Sequence, residues 1–357
     1  MSERPRYTAR CGHPRWRLIA GGIALVVAGC GAASPAPTAG SAGSSGDPQH
    51  PSDRPGVASG TAPADTTAPS AAPSTDATPI ADASMAAPGI TPDPGRSVDP
   101  NWEGTSIPFS PANFVDPTLD TNPFHPLKPG LQWVRAGTTE VGSRVVPHEI
   151  ITTMTDVIRV IDGVKTIAML DESTDSGEVS QVGMDYMALD KDGNVWILGG
   201  YTEDYQGGAY TNTDSAYLGS ETGGVLGVLS PARVDANTQR WLIGRAPDEK
   251  ASVGTVVEVG GTYCVTFGCF KDVRVVQEGN VGAPDNENKY YAPGVGVINN
   301  IPLDASLHQD TFQLTNFLSL STEGLAEASK TVQDLEAHAR LVAADVFGSA
   351  PPSARLK

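Results

Sequence analysis

The chain has 357 residues, of which 24 are Lys or Arg and 41 are Asp or Glu, giving a net charge of −17. Residues 1–29 hold five of the arginines and one glutamate, so residues 30–357 carry 19 basic against 40 acidic side chains, a net −21. So acidic a surface repels phosphate backbones and offers no polybasic grip on anionic lipid, which excludes nucleic acid as a partner.

The chain opens with Arg4, Arg6, Arg10, Arg15 and Arg17, and Leu18 to Gly29 is apolar and rich in small residues. A span needs about 20 apolar residues, so this run is read as a cleaved signal segment, domain 1–29. It has no Arg-Arg pair, which favours the general secretion route. Val27-Ala28-Gly29-Cys30 resembles the lipobox of bacterial lipoproteins. That resemblance implies that Cys30 becomes the first mature residue and carries acyl chains. The protein is then a lipid-anchored one facing the extracytoplasmic side of the cell membrane, and the membrane is a partner through that anchor.

Residues 30–99 lack Phe, Tyr and Trp and consist of Ala, Ser, Thr, Pro, Gly and Asp with few others. Such a segment cannot offset its ordering entropy by burial and is expected to be a disordered tether, reaching about 45 Å as a flexible coil. The globular part is assigned to residues 100–348 as a single domain, followed by a disordered tail, 349–357.

Asn122-Pro123-Phe124-His125-Pro126-Leu127-Lys128-Pro129-Gly130 reads as a stiffened loop. Strands are expected over Leu131–Ala136, then Val146–Ile161 and Val164–Leu170 about an Asp162-Gly163 turn. Asp171 to Gly177 reads as a turn cluster, Glu178–Leu189 as a strand, and Asp190 to Asn194 as a tight turn before Val195–Leu198. Residues 199–224, with seven Gly and four Tyr, read as a long loop. Further strands are expected at Gln239–Gly244, Gly254–Val259, Thr262–Val265, Phe270–Gln277, Val295–Ile298 and Thr311–Leu320. From Leu325 the apolar residues Ala328, Val332, Leu335, Ala339, Val342 and Val346 recur at 3–4 spacing, predicting one helix over 322–347 capped by Ser321 or Thr322. The fold class is mainly β: an antiparallel meander forming an open barrel or strongly curved sheet, with one long C-terminal helix.

Cys264 and Cys269 are the two cysteines of the folded part, and outside the cytoplasm such neighbours are expected to form a disulfide across a turn; two free thiols are the alternative. Asp190-x-Asp192-Gly193-Asn194 lacks the glycine and glutamate positions of a calcium loop. His148-Glu149 has no second His at zinc-protease spacing, and Gly219-Ser220-Glu221-Thr222-Gly223 does not match the nucleophile elbow. His125, His308 and His338 read as ordinary structural or surface residues. No catalytic, metal or cofactor site is assigned. The remaining chemistry-bearing set is aromatic, Trp133, Tyr186, Trp196, Trp241, Tyr290 and Tyr291, and is expected either to line a ligand cavity or to form plain core.

Asn122-Pro123 through Gly130 with Trp133, then Asp190-Lys191-Asp192-Gly193-Asn194-Val195-Trp196, then Lys289-Tyr290-Tyr291-Ala292-Pro293-Gly294-Val295-Gly296, resemble a family of uncharacterised bacterial exported proteins. The family often has an acidic residue where this chain has Gly199-Gly200, and it implies one domain over roughly 120–300 without implying a mechanism. The expected function is that of a non-enzymatic cell-envelope lipoprotein binding an apolar or amphipathic ligand. A lipoprotein that docks an envelope protein, and a hydrolase with a site no motif reveals, are the alternatives.

Overall fold

The computed structural model describes residues 104–357 except 248, 284, 285 and 308. The expected leader, Cys30, the tether and His308 lie outside the described residues. The strands are β1 (Phe114–Val115), β2 (Leu131–Val141), β3 (Arg144–Ile161), β4 (Val164–Asp175), β5 (Glu178–Asp190), β6 (Val195–Gln206), β7 (Ala209–Leu218), β8 (Val225–Ser230), β9 (Trp241–Arg245), β10 (Ser252–Val265), β11 (Gly268–Asn280), β12 (Glu287–Ala292), β13 (Gly296–Pro302) and β14 (Thr311–Ser319). Helices α1 (Thr322–Val342) and α2 (Ala344–Phe347) come next, and β15 (Ala354–Arg355) ends the chain.

Neighbouring strands are joined by hairpins whose turn residues permit left-handed backbone. Asp162 and Gly163 have φ of 47° and 78°, and Ser176 and Gly177 have 53° and 83°, the twist that suits a two-residue hairpin. β2 to β6 pair in chain order, the start of β6 pairs β8, β8 to β14 pair in order, and β14 returns antiparallel to β2. Twelve strands thus form a closed antiparallel barrel, with β7 paired to the upper half of β6. Closure removes the free edges that an open sheet exposes.

One seam is thin. β13 and β14 pair only at Asn299↔Gln313 and Asn300↔Phe312. Beyond that point Trp133 Nε1 donates to the Val295 carbonyl at 2.6 Å and Arg135 Nε to that of Val297 at 3.0 Å. Outside, the Phe267 amide at the tip of the β10–β11 hairpin donates to Leu314 at 3.0 Å. Side chains and a folded-over hairpin thereby satisfy backbone groups that the ladder leaves open.

α1 lies against the outer face of β3, β4 and β5. Ser321 caps it through the Gly324 amide at 3.2 Å, and Val332, Leu335 and Ala339 are buried beneath it. No helix among the described residues is long and apolar enough to cross a membrane.

The mainly β meander with its helix is observed, and several boundaries differ from expectation. The helix ends at Val342 instead of 347, because Ala343 leaves helical geometry (φ −126°, ψ 50°) before α2 begins. Residues 354–355 are not a loose tail: they pair with Val157 and Ile158 of β3, and Arg355 makes two 2.7 Å bonds to Asp156. The expected turn cluster 171–177 is strand as far as Asp175, and the expected loop 199–224 is mostly β6 and β7. In the first stretch alternate polar residues point into a polar interior, and in the second β7 lies outside the ring with exposed polar residues, so in both the apolar alternation expected of a strand is missing.

Candidate functional site

Side chains from strands that are not neighbours in the ring meet on one face of the sheet, which is therefore the interior. One end of that interior is stoppered by the loop after β1. Asn122 Nδ2 donates to the carbonyls of Gly193 and Ser230 at 2.9 and 2.8 Å, and the Gly294 amide donates to Pro123 at 2.6 Å. Leu127 is fully buried. The Arg274 guanidinium sits 4.2 Å from the Phe124 ring centroid, a cation–π contact that fixes the loop from above.

His125 enters beside this contact. Burial, with the charges of Arg274, Arg135 and Lys289, pushes its imidazole down to about 3. An unfolded histidine takes its proton near 6.5, so stability is lost as pH falls from there towards 3. By pH 4 the loss amounts to roughly 3 kcal/mol. His125→Asn removes this liability. Between pH 7 and pH 4 its melting temperature should fall clearly less than that of the parent, and parallel curves would show that His125 is not buried neutral. A cavity of about 20 Å³ lined by His125, Trp133, Arg135, Thr152, Met169 and Val297 adjoins the ring, which is room for one water.

The middle of the barrel is charged. Arg135 Nη1 donates to Thr152 Oγ1 at 2.7 Å, and Thr152 donates in turn to Asp171. Burial pushes the Asp171 carboxyl up to about 6. Asp185 stands on the same face, its carboxyl pushed well above the usual range by burial and then by the charge of Asp171. Gly200 makes room for it: a Cβ there would lie 2.6 Å from Asp185 Oδ1. Across the barrel Lys289 Nζ lies 3.0 Å from Glu278 and 3.2 Å from Glu287, while Tyr291 donates to Glu278. Burial works against the Lys289 ammonium, yet these two carboxylates hold it above its ordinary value.

The end away from the stopper opens into a hollow of about 660 Å³ at the β2–β3, β4–β5 and β6–β7 turns. Arg144, Asp175, Glu178, Ser180, Asp204 and Tyr205 line it. Asp175, which lines it, is bonded by the buried His148 through Nδ1 at 2.8 Å, and His148 Nε2 lies 3.9 Å from Asp310. On the other side of the β2–β3 hairpin a smaller hollow of about 240 Å³ is bounded by Val145, Ile301, Pro302 and Ala305.

The six aromatic residues expected around a ligand do not gather round one cavity. Trp133 alone borders the small internal space. Tyr291 is inside, bonded to Glu278. Tyr186 lies on the opposite face under α1, bonded to Glu336. Tyr290 packs on Tyr263 at 4.8 Å. Trp196 sits against Phe109 and Phe114 and donates to Asp190 at 2.9 Å, and Trp241 donates to the Val228 carbonyl at 2.9 Å. Each is buried with its polar atom or ring face occupied by protein, so the set serves the core. Asp190 accepts from the Asp192 and Asn194 amides, Asn194 Nδ2 and Trp196 Nε1, which organises the 190–194 turn. Cys264 and Cys269 are joined, facing each other across β10 and β11.

The charged residues were missed by motif reading, although a signal exists. Asp171-x-Ser173-x-Asp175 and Glu287-x-Lys289-x-Tyr291 repeat polar groups at the strand period of two, which marks a polar face as surely as an apolar one.

No protein-family model matches the chain, and no curated protein does. Two solved structures are similar at 12% identity. One, from Bacteroides fragilis NCTC 9343, is described as a candidate exported protein with a YmcC-like fold and covers 54% of this chain and 98% of its own, with a TM-score of 0.32. The other, described as a candidate lipoprotein of Parabacteroides distasonis ATCC 8503, covers 54% and 96% with a TM-score of 0.25. Neither superposes closely enough to transfer a role.

Proposed function

We propose that the chain is a cell-envelope binding lipoprotein, anchored through acyl groups on Cys30, whose barrel takes a small hydrophilic ligand at its open end. One observation carries the ligand part: the interior is filled by paired charges and stoppered below, whereas the other end opens into a hollow of about 660 Å³. An apolar guest could enter only by displacing these partners, which would leave Arg135, Asp171 and Lys289 uncompensated at several kcal/mol each. The apolar ligand expected from the aromatic residues is therefore set aside in favour of a polar one held at the rim. The lipobox at Cys30 supports the anchoring part.

One preparation tests both parts. The protein is isolated from the membrane fraction, its intact mass is measured, and small molecules released on denaturation are identified. The expected result is a chain beginning at Cys30 with added acyl mass, together with a water-soluble molecule at near-equal molar amount. An unmodified Cys30 removes the anchor, and a released lipid in place of a polar molecule removes the rim site.

A further inference from the structure

β12 and β13 bring three side chains of complementary chemistry together inside the barrel. Lys289 lies directly opposite Asn300 in the β12–β13 ladder, and Glu287 precedes Lys289 by two positions on the same face of β12. Side chains so paired stand about 5 Å apart at their Cβ atoms. Lys289, Glu287 and Asn300 are 5%, 2% and 1% exposed, so they face one another and not bulk water. One carboxylate bridges the other two groups. Glu287 Oε1 lies 3.2 Å from Lys289 Nζ, and Glu287 Oε2 accepts from Asn300 Nδ2 at 2.8 Å. Asn300 Nδ2 also donates to the Asp310 carbonyl at 3.1 Å. The amide is thus held through its nitrogen, while its oxygen is buried without a hydrogen-bond partner. A buried acceptor left open is uncommon and costs stability, and cohesion alone does not account for it.

We propose that Lys289 and Asn300 join through an isopeptide bond, with Glu287 as the general base and acid. Glu287 first takes a proton from the Lys289 ammonium. The freed Nζ lone pair attacks Asn300 Cγ and forms the Nζ–Cγ bond. The Cγ–Nδ2 bond then breaks, and its electron pair leaves on Nδ2. Glu287 hands its proton to Nδ2 and takes a second one from Nζ, so that ammonia departs, an amide remains and Glu287 ends as a neutral acid. The step trades a buried ammonium and a buried carboxylate for two neutral groups, which a dry interior favours. Burial already raises the Glu287 carboxyl above its ordinary 4.5, in the direction the product needs. Glu278, 3.0 Å from Nζ, acts the other way. Together with Glu287 it keeps Lys289 as an ammonium, which has no lone pair. Closure is therefore slow beside folding, and the newly folded chain holds the ion pairs described above. The bond ties β12 to β13 at Asn300, which is also one of the two β13 residues paired with β14, so it braces the thin seam from one side.

The test is the intact mass of the full chain in detergent after about two weeks at about pH 9 and about 37 °C, where an amine gives up its proton more readily. The expected result is the loss of one ammonia, about 17 Da. Trypsin, which requires a free lysine, should then leave residues 275–330 uncut at Lys289, and fragmentation should place the link on Asn300. Lys289→Arg keeps the charge without the amine nucleophile and should keep its full mass. Glu287→Gln, folded by circular dichroism, should slow the loss by about a hundredfold. The mass of the parent decides first, so a variant that fails to fold does not shelter the proposal. An unchanged parent mass, a link mapped to another residue, or an equal loss in Lys289→Arg overturns the bond. An undiminished loss in folded Glu287→Gln overturns the assignment of Glu287 as its base.

Discussion

Glu336→Ala is expected to cost about 3–5 kcal/mol of folding stability, more than most single changes elsewhere on the surface of the barrel. Glu336 Oε1 lies 3.1 Å from Arg159 Nε and 2.8 Å from Nη2, and it also receives the Tyr186 hydroxyl. The other oxygen accepts from the Ser353 amide and hydroxyl at 3.2 and 2.8 Å. The Arg159 and Glu336 side chains are 3% and 5% exposed, so water cannot replace the lost carboxylate. Removal strands a guanidinium that is sandwiched between Tyr186 and Phe347, 5.4 and 5.8 Å from their ring centres. It also frees the segment leading to β15. Glu336→Gln keeps acceptors and loses charge, and should fall between the two. The exposed pair Lys330–Asp334, 71% and 66% accessible, is the control, for its removal should leave the urea midpoint unchanged. A Glu336→Ala midpoint matching the control would mean that α1 is not held by this pair.

The second large effect is pH-dependent. Lys289→Met leaves Glu278 and Glu287 facing each other in a space where all three side chains are 8% exposed or less. Burial already holds Glu287 above its ordinary 4.5 with the ammonium present, and loss of the ammonium drives it higher. A carboxyl whose folded value exceeds its unfolded value favours the fold below the unfolded value, and that advantage is lost as pH rises through the folded one. The difference between variant and parent should therefore be small near pH 4 and grow to about 3–5 kcal/mol by pH 8. Taking the difference removes most of the opposing contribution of His125, because burial, its largest cause, is common to both proteins and Lys289 is the smallest of the charges that lower it. Urea midpoints at four pH values check this, and a difference flat from pH 4 to 8 would exclude an unpaired carboxylate as its cause.

The parts of the fold that could be read in the sequence were those that obey apolar rules. Val146–Ile161 and Val164–Leu170 about Asp162-Gly163 gave a hairpin because one chemistry marks the strand and another the turn. The stripe from Leu325 gave α1 for the same reason, and its stop was misplaced because Ala343 carries no breaker signal. Asp171, Ser173 and Asp175 were hidden because turns and polar-lined strands use the same residues. Gly199 and Gly200 looked like loop material, yet Gly200 is small so that Asp185 can lie over it. Closure of the ring was also out of reach, since no local pattern announces that β14 meets β2. The charged interior came with that closure: Lys289 and Asp171 approach each other only because the ends of the meander join.

That join has a consequence for the newly made molecule. Leu131 lies opposite Ser319 and Thr138 opposite Thr311, so the last strand to emerge zips onto the first of the ring. Bringing such distant segments together makes folding slow compared with hairpin formation. Through that interval the amides and carbonyls along β2 stand open to any passing chain, its own sister copies included. The hazard of self-association is concentrated in time, between the emergence of Leu131 and the arrival of Ser319, and it vanishes once the circle is complete.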